Sequence, residues 1–359
     1  MSLREKIGQL LMIGFRGMEA GPRSAIVRDI QAGRIGGVVL FDRDLTLGTN
    51  ERNIRSPQQV KELAASLQSR SAIPLLIAVD QEGGQVVRLK EKAGFPATVS
   101  AQYLGQADDT KLTGMYAEQT AAALAACGIN LNFAPLVDLN VNPENPIIAK
   151  YGRSYGADPG TVVRHALAVI AGHRRHGVVC TLKHFPGHGS SRQDSHLGLT
   201  DVSGTWDEVE LRPYRELIAG GQADTIMTAH IYNRRLDPAF PATLSKKTIG
   251  GLLRRKLGFA GVVISDDMDM KAISDEYPRQ TALELALNAG NDILLFANNL
   301  VYDEGLAART QEMILGLLSA GRVSAARINQ ACRRVMDLKK NTLALGVGGA
   351  GHSRRGNST

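Results

Sequence analysis

The chain has 359 residues, of which 43% are hydrophobic and 21% are charged. This composition is ordinary for a globular protein, and the length suffices to bury a core without disulfides or a metal. The formal net charge of +7 first suggests an acidic partner. The basic residues are scattered as pairs, however, and aromatic residues make up only 5% of the chain, so nucleic-acid binding is not expected.

The cysteines and the N-terminal sequence indicate the cellular compartment of the protein. Cys127, Cys180 and Cys332 are far apart and lie in apolar stretches, a pattern typical of buried free thiols in a reducing environment. The N-terminus lacks the apolar core of a signal peptide, and no run approaches the length of a membrane span. We therefore expect a cytoplasmic protein without membrane insertion, or an exported one if the Met1-Ser2-Leu3 start replaces a native leader.

Short apolar runs alternate along the chain with longer amphipathic stretches. The predicted strands are 35–41, 74–80, 129–135, 178–184, 225–230, 261–266 and 292–296. The predicted helices are 56–70, 109–127, 159–176, 206–219, 279–289, 304–320 and 325–340. Continuous apolar strands separated by helices favour a parallel sheet covered by helices on its outer face. The pattern predicts an α/β protein, a (β/α)8 TIM-barrel-like single domain, with a doubly wound open sheet as the alternative.

The barrel is predicted to span residues 1–345, and the Gly- and Ser-rich residues 346–359 are predicted to be disordered. This tail contains a G-x-G-x-x-G sequence at residues 346–351, which fits the dinucleotide-binding pattern. Because only eight residues follow it, the helix and strand of a βαβ unit have no room. We therefore expect no nucleotide, and no other cofactor.

Polar side chains stand at the carboxyl ends of four predicted strands: Asp80, His184, His230 and Asp266. In parallel α/β folds the active site is assembled at this edge of the sheet. A single aspartate in such a position could be a helix cap. Four polar residues on four strands instead predict one shared site.

The loop after the predicted strand 178–184 carries three of the eight histidines within residues 183–196. His184 and His188 could simply hydrogen-bond the loop backbone. Alternatively, His184, His188, Asp194 and His196 could bind a metal, although their spacing matches no standard zinc signature. In the third interpretation, Asp194 hydrogen-bonds His196, which acts as a general acid/base.

A second candidate group is Ser265-Asp266-Asp267, which follows the apolar run 261–264. Paired carboxylates at a strand end can bind a metal. Asp266 could also act as a nucleophile on an anomeric carbon, the role of a carboxylate in retaining glycosidases. Asp267 is expected to cap the next helix or to order the loop.

Taken together, these segments resemble glycoside hydrolase family 3, in its β-N-acetylglucosaminidase branch. The resemblance extends from Ile7 to about residue 345. Its motifs are Gly36-Gly37-Val38-Val39-Leu40-Phe41, Asp80-Gln81-Glu82-Gly83-Gly84, Arg153-Ser154-Tyr155, residues 183–189, Asp194-Ser195-His196 and Ser265-Asp266-Asp267-Met268. Lys-His-Phe-Pro-Gly-His-Gly followed by Asp-Ser-His is highly specific to this branch.

The resemblance implies a role for each matching position. Asp266 is the implied nucleophile and His196 the implied acid/base, with Asp194 as its partner. The implied sugar-binding residues of the −1 subsite are Asp80, Arg88, Arg153, Lys183 and His184. His188 is expected to be structural, whereas His230 and Asn298 have weaker support as residues that face the site.

The resemblance also implies a metal-independent enzyme that removes N-acetylglucosamine from muropeptide fragments in peptidoglycan recycling. The protein is expected to be a monomer. Because imidazole is neutral after the first step, phosphate could replace water, so a phosphorylase stays an alternative to the hydrolase, as does a metal-dependent hydrolase. Residues 140–147 form an extra loop relative to the shortest members, which leaves the +1 subsite and the localisation open.

Overall fold

The computed structural model describes residues 1–347, with side chains through residue 341. Its strands in chain order are β1 Leu11–Gly14, β2 Gly37–Val39, β3 Leu76–Val79, β4 Leu131–Asn132, β5 Val179–Phe185, β6 Thr200–Asp201, β7 Thr225–Thr228, β8 Ile231–Tyr232, β9 Val262–Ser265 and β10 Leu294–Phe296. Eight of them form one parallel sheet in the order β10-β1-β2-β3-β4-β5-β7-β9. A parallel bridge between Ile264 and Ile293 joins its two ends. The predicted barrel is confirmed, and the open sheet is wrong.

Helices surround this barrel. They are α1 Leu3–Gly8, α2 Ala25–Gln31, α3 Pro57–Ser69, α4 Ala101–Ala107, α5 Thr110–Ala126, α6 Pro159–Arg175, α7 Arg212–Ala219, α8 Lys271–Ser274, α9 Arg279–Ala289, α10 Leu306–Ser319 and α11 Ala325–Val347. A π-helix covers Lys247–Lys256. Helix α11 extends beyond the predicted end at residue 340, and into the first two residues of the predicted tail. The remaining tail and most of its glycine motif lie outside the described residues.

The local sequence explains where the main helices begin. Ser56, Asp109 and Asp158 precede α3, α5 and α6, and each side chain accepts a hydrogen bond from a backbone N–H of the first turn. Proline occupies the start of α3 and of α6, where its missing N–H costs nothing. These caps fix the helix ends close to the predicted positions.

Strand β1 was absent from the sequence-based prediction. Only two residues separate this strand from α1, and the apolar residues from Ile7 to Ile13 continue the pattern of the helix. The sequence therefore shows no boundary between the two elements. The strand forms because β2 and β10 pair with it on both sides. Its last residue must be Gly14, since a Cβ there would lie 1.9 Å from the carbonyl oxygen of Ala297.

Apolar side chains fill the barrel interior. This group is contributed by the strands and their flanking residues, with Val335 of α11 added: Met12, Val39, Leu76, Ala78, Leu131, Phe133, Val179, Met227, Val262, Ile264, Ile293, Leu295 and Val335. Larger clusters lie between the sheet and its helices. Cys127, Cys180 and Cys332 are buried free thiols, as predicted. Within residues 1–347, no helix combines the length and apolar character needed to cross a bilayer.

A buried ion network surrounds Asp292, just before β10. The carboxylate, which is fully buried, pairs with Arg254 at 2.5 Å, Arg327 at 2.9 Å and Arg334 at 3.2 Å. It also accepts a hydrogen bond of 3.0 Å from the Val263 N–H. One carboxylate thus connects the π-helix and α11 to the barrel.

Asp292→Ala is expected to lower the free energy of unfolding by about 3–5 kcal/mol, because it leaves largely buried guanidinium groups without their counter-charge. Urea denaturation measures this change. Asp224→Ala is the matched control, since the pair between Asp224 and Arg174 is 3.2 Å long but more than one-third exposed. The free energy of unfolding of this control should fall by less than about 1 kcal/mol. Equal losses in the two variants would contradict a special role for Asp292.

Candidate active site

A cavity of about 350 Å³ opens at the carboxyl ends of the barrel strands. It is lined by all eight residues to which the family resemblance assigned a role in catalysis or in the −1 subsite: Asp80, Arg88, Arg153, Lys183, His184, Asp194, His196 and Asp266. They come from the ends of β3, β5 and β9 and from the loops that follow β3, β4 and β5. Three of the four strand-end residues predicted to share one site, Asp80, His184 and Asp266, therefore line the same cavity, whereas His230 does not. The inner surface of the cavity combines carboxylates, imidazoles and cations.

One side of the cavity is a chain of alternating charges. Lys183 Nζ lies 2.7 Å from Asp80 Oδ1 and 2.6 Å from Glu82 Oε1. Arg153 donates to both oxygens of Glu82, at 2.9 and 2.7 Å. Arg88 approaches the second oxygen of Asp80 at 3.4 Å. Glu82, which the sequence analysis named only as part of a motif, holds both Lys183 and Arg153 in place.

The alternation of positive and negative side chains controls the protonation state of each group in this chain of charges. Burial alone would raise the pKa of the Asp80 carboxyl, but the charges of Lys183 and Arg88 lower it. The pKa of Glu82 is likewise lowered by Arg153 and Lys183 against the effect of its burial. Burial would lower the pKa of Lys183, but the two carboxylates raise it. All these groups are therefore charged at neutral pH, and Asp80 can accept hydrogen bonds from sugar hydroxyls.

His184 is fixed by Asp138, which the sequence analysis did not single out. His184 Nδ1 lies 2.8 Å from Asp138 Oδ2, and the His184 backbone N–H also donates to this carboxylate. Because a carboxylate only accepts, Nδ1 carries a proton and Nε2 is free to face the cavity. Asp138 follows the predicted strand 129–135, so the rule of polar residues near strand ends could have found it.

The loop after β5 carries the Asp194–His196 pair. His196 Nδ1 lies 2.7 Å from Asp194 Oδ1, which also accepts the backbone N–H of His196 at 2.8 Å. The expected carboxylate–imidazole hydrogen bond is confirmed. Burial alone would lower the pKa of His196, but Asp194 and the charge of Asp266 raise it above the ordinary 6.5. The pKa of Asp194 is lowered, because hydrogen bonds from His196 outweigh its burial.

His188 stays inside the loop, as expected. Its ring nitrogens contact Ser191 Oγ at 2.7 Å and Ser195 Oγ at 3.1 Å, and burial lowers its pKa to about 4. Both nitrogens therefore already have protein partners. Within the described part of the chain, no three His, Cys, Asp or Glu side chains form a group that could hold a metal ion.

Asp266 follows β9 and lies at the inner end of the cavity. Burial alone would raise the pKa of its carboxyl, but His184, His230 and His196 lower it to about 2. The neighbouring Asp267 orders the loop, as expected, because its Oδ1 accepts the N–H groups of Asp269 and Ala297. Asp266 is therefore an ionised carboxylate surrounded by imidazoles.

Two weaker candidates lie behind the cavity wall. His230 is fully buried, with its ring nitrogens 2.9 Å from Thr243 Oγ1 and from the carbonyl oxygen of Asp267. Asn298 donates to the carbonyl oxygens of Gly14 and Asp303. Both residues support the strand ends, and neither lines the cavity.

The extra loop 140–147 supports the histidine-bearing loop. Asn142 Nδ2 donates to the Ser191 carbonyl at 2.8 Å, and Asn145 Nδ2 donates to the carbonyls of His188 and Gly189. The last residue of the extra loop, Ile147, lines the cavity. This loop therefore fixes the first part of the 183–196 segment and leaves the part around His196 more exposed.

A (β/α)8 barrel with carboxylates at its strand ends is a fold and a site chemistry that glycoside hydrolases use. Residues 2–338 match the model of the glycosyl hydrolase family 3 N-terminal domain. The chain therefore belongs to glycosyl hydrolase family 3.

Named relatives agree with this assignment. β-Hexosaminidase A of Pseudoalteromonas piscicida is 37% identical over 288 residues, which are 73% of this chain and 45% of that protein. β-Hexosaminidase of Tolumonas auensis is 38% identical over 270 residues, 74% of this chain and 76% of that protein. The family 3 β-N-acetylglucosaminidase structure from Paenibacillus sp. FPU-7 superposes with a TM-score of 0.88 and 36% identity, over 100% of this chain and 66% of that one. This chain therefore covers less than half the length of the Pseudoalteromonas piscicida protein.

Proposed function

We propose that the protein is a retaining exo-β-N-acetylglucosaminidase that removes terminal β-linked N-acetylglucosamine from peptidoglycan fragments. One observation carries the proposal: an ionised Asp266 and the Asp194–His196 pair line the same cavity, close enough for each charge to shift the other's pKa. The names of the relatives, β-hexosaminidase and β-N-acetylglucosaminidase, support the sugar specificity.

In the first step, an Asp266 oxygen attacks the anomeric carbon and the bond to the leaving oxygen breaks. His196 supplies the proton that the leaving oxygen needs. Since Nδ1 of His196 is bonded to the Asp194 carboxylate, Nε2 is the atom that gives this proton. The products are a glycosyl ester on Asp266, a neutral His196 and the free alcohol.

In the second step, neutral His196 takes a proton from water while the water oxygen attacks the anomeric carbon. The ester bond breaks, Asp266 regains its charge, and the sugar leaves with its original anomeric configuration. The Asp194 carboxylate keeps the imidazole in one tautomer and stabilises its cationic form.

The charged side of the cavity would bind the terminal sugar. Asp80 can accept sugar hydroxyls, while Arg88, Arg153 and Lys183 can donate to hydroxyls or to the acetamide oxygen. A volume of about 350 Å³ is near the small end of ligand sites, which favours a single terminal unit over a long chain.

Product analysis tests the proposal directly. The protein should convert an aryl N-acetyl-β-glucosaminide to N-acetylglucosamine with retained configuration, and release the same sugar from a muropeptide disaccharide. Added phosphate should leave the product unchanged. Formation of the sugar 1-phosphate would instead establish a phosphorylase, which the neutral imidazole of the second step permits.

Exhaustive dialysis against a chelator is expected to leave turnover unchanged, because Asp266 and His196 provide the nucleophile and the acid/base. The measurement compares kcat before and after dialysis, and again after zinc or manganese is added. A loss that either metal restores would replace this mechanism with that of a metal-dependent hydrolase. Binding of the sugar without turnover would indicate a saccharide-binding barrel.

The pH dependence of kcat/KM provides a further prediction. His196 must be protonated for the first step, and its pKa is raised, so activity should fall as pH increases through a value above 6.5. Asp194→Asn removes the charge that raises this pKa, and should move the alkaline limb to lower pH. The pKa of Asp266 is about 2, so the nucleophile stays ionised across the working range. Identical alkaline limbs in the two proteins would contradict the pairing.

A further inference from the structure

The cavity changes character from its inner end to its mouth. At the inner end the Lys183 side chain is only 2% exposed, among its carboxylate partners. At the mouth, three lining residues are large and exposed: Leu45 at 58%, Leu300 at 39% and Tyr151 at 38%. Two further exposed apolar residues, Leu47 and Val301, are close in sequence to the leucines. The entrance therefore has an apolar rim around a charged interior.

The two leucines are held on a rigid support. Leu45 lies after β2 and Leu300 after β10, and the Leu45 N–H donates to Asn299 Oδ1 at 2.9 Å. Arg52, whose side chain is fully buried, donates to the same oxygen and to Asp44 Oδ2, both at 2.8 Å. These bonds connect two loops about 250 residues apart in the chain.

A second arginine strengthens this support. Arg16 makes two bonds to Asp44, at 2.6 and 3.0 Å, and its guanidinium lies 3.9 Å from the ring centre of Tyr302. The Arg16 hydrogen bond outweighs burial and lowers the pKa of Asp44 to about 2, so the ion network is intact at neutral pH. Single exposed leucines are common, but two leucines fixed by a buried ion network at a site entrance are placed for contact.

We propose that Leu45, Leu300 and Tyr151 form an aglycone subsite that selects leaving groups with an apolar alkyl or aryl portion. The inference rests on the proposed function, in which the terminal sugar occupies the charged interior beside Asp266. The leaving group must then lie toward the mouth, next to the half-exposed His196 that protonates it. The rim side chains remove part of that group from water.

A series of alkyl N-acetyl-β-glucosaminides, from methyl to butyl, tests this subsite. These alcohols have similar basicity, so a trend in kcat/KM reports contact with the protein and not leaving-group ability. We expect about a twofold rise per added methylene, because a methylene contacted on one side gains about half the free energy of full burial. The expected gain from methyl to butyl is about eightfold.

The variants Leu45→Asn and Leu300→Asn should flatten this trend while leaving kcat/KM for the methyl glycoside within about twofold, since the methyl group does not reach the rim. Leu167→Asn is the matched control, because Leu167 is a 38% exposed leucine on the outer helix α6 and should keep the wild-type trend. Because the exposed leucines bury little area, the fold should tolerate these changes, and thermal unfolding checks this.

Equal trends in the wild type and both rim variants would overturn the subsite. An equal loss of kcat/KM for every substrate, including the methyl glycoside, would also overturn the subsite, because the rim residues would then affect the sugar site and not the leaving group. If the wild-type protein hydrolyses neither the alkyl glycosides nor the aryl glycoside, the proposed function itself fails. A flat trend with measurable turnover is a different result, because it rejects only the aglycone subsite and leaves the proposed function intact.

Discussion

Asp266→Asn is expected to lower kcat by several orders of magnitude, because a neutral amide cannot replace the attacking carboxylate. The variant also loses the negative charge that lowers the energy of a cationic transition state and contributes to the raised pKa of His196. Steady-state kinetics with an aryl glycoside measures the loss. Substrate binding should be retained, because the Asp80 and Lys183 cluster is unchanged.

Asp267→Asn is the matched control for this prediction. Asp267 Oδ1 accepts two backbone N–H groups, and the amide oxygen of asparagine can accept the same bonds. The control should therefore lose much less activity. A 5-fluoro or 2-deoxy-2-fluoro glycoside should label the peptide that contains Ser265-Asp266-Asp267. Label on Asp267, or a product of inverted configuration, would refute Asp266 as nucleophile.

His196→Ala is expected to reduce turnover of poor leaving groups by about 10²–10⁴-fold, since their departing oxygen needs a proton. Nitrophenyl-type glycosides need little protonation and should be affected far less, until the second step limits both. The measurement is kcat/KM across aglycones of different basicity. A steeper dependence of kcat/KM on aglycone basicity in the variant identifies the loss of the general acid, because a general structural defect would slow all substrates alike.

Azide should restore the second step in His196→Ala, because this anion attacks the glycosyl ester without losing a proton. The product would be a β-glycosyl azide. Asp194→Asn should behave as a milder form of the same variant, since its imidazole remains but loses the partner 2.7 Å away. If His196→Ala left all substrates equally active, the role would pass to His184, because the Glu82 carboxylate is ionised and paired with Lys183 and Arg153.

Other contacts of the site could not be predicted from local patterns. Asp138 lies 46 residues before His184, and Glu82 lies 71 residues before Arg153. Each is an acidic residue near a strand end, which marks it as a candidate site residue but does not identify its partner. Their partners are defined only when the parallel strands are placed side by side, since nothing in the intervening sequence specifies the pairing.

Seven of the eight barrel strands can be predicted from the sequence alone, because continuous apolar runs between amphipathic helices are a local signal. The Asp194–His196 pair can be predicted as well, because its two residues are close in the chain. Strand β1, by contrast, depends on tertiary contacts, because its four residues form a strand only when β2 and β10 pair with it on both sides. The apolar rim also depends on tertiary contacts, because barrel closure brings Leu45 against Asn299, which is 254 positions away in the chain.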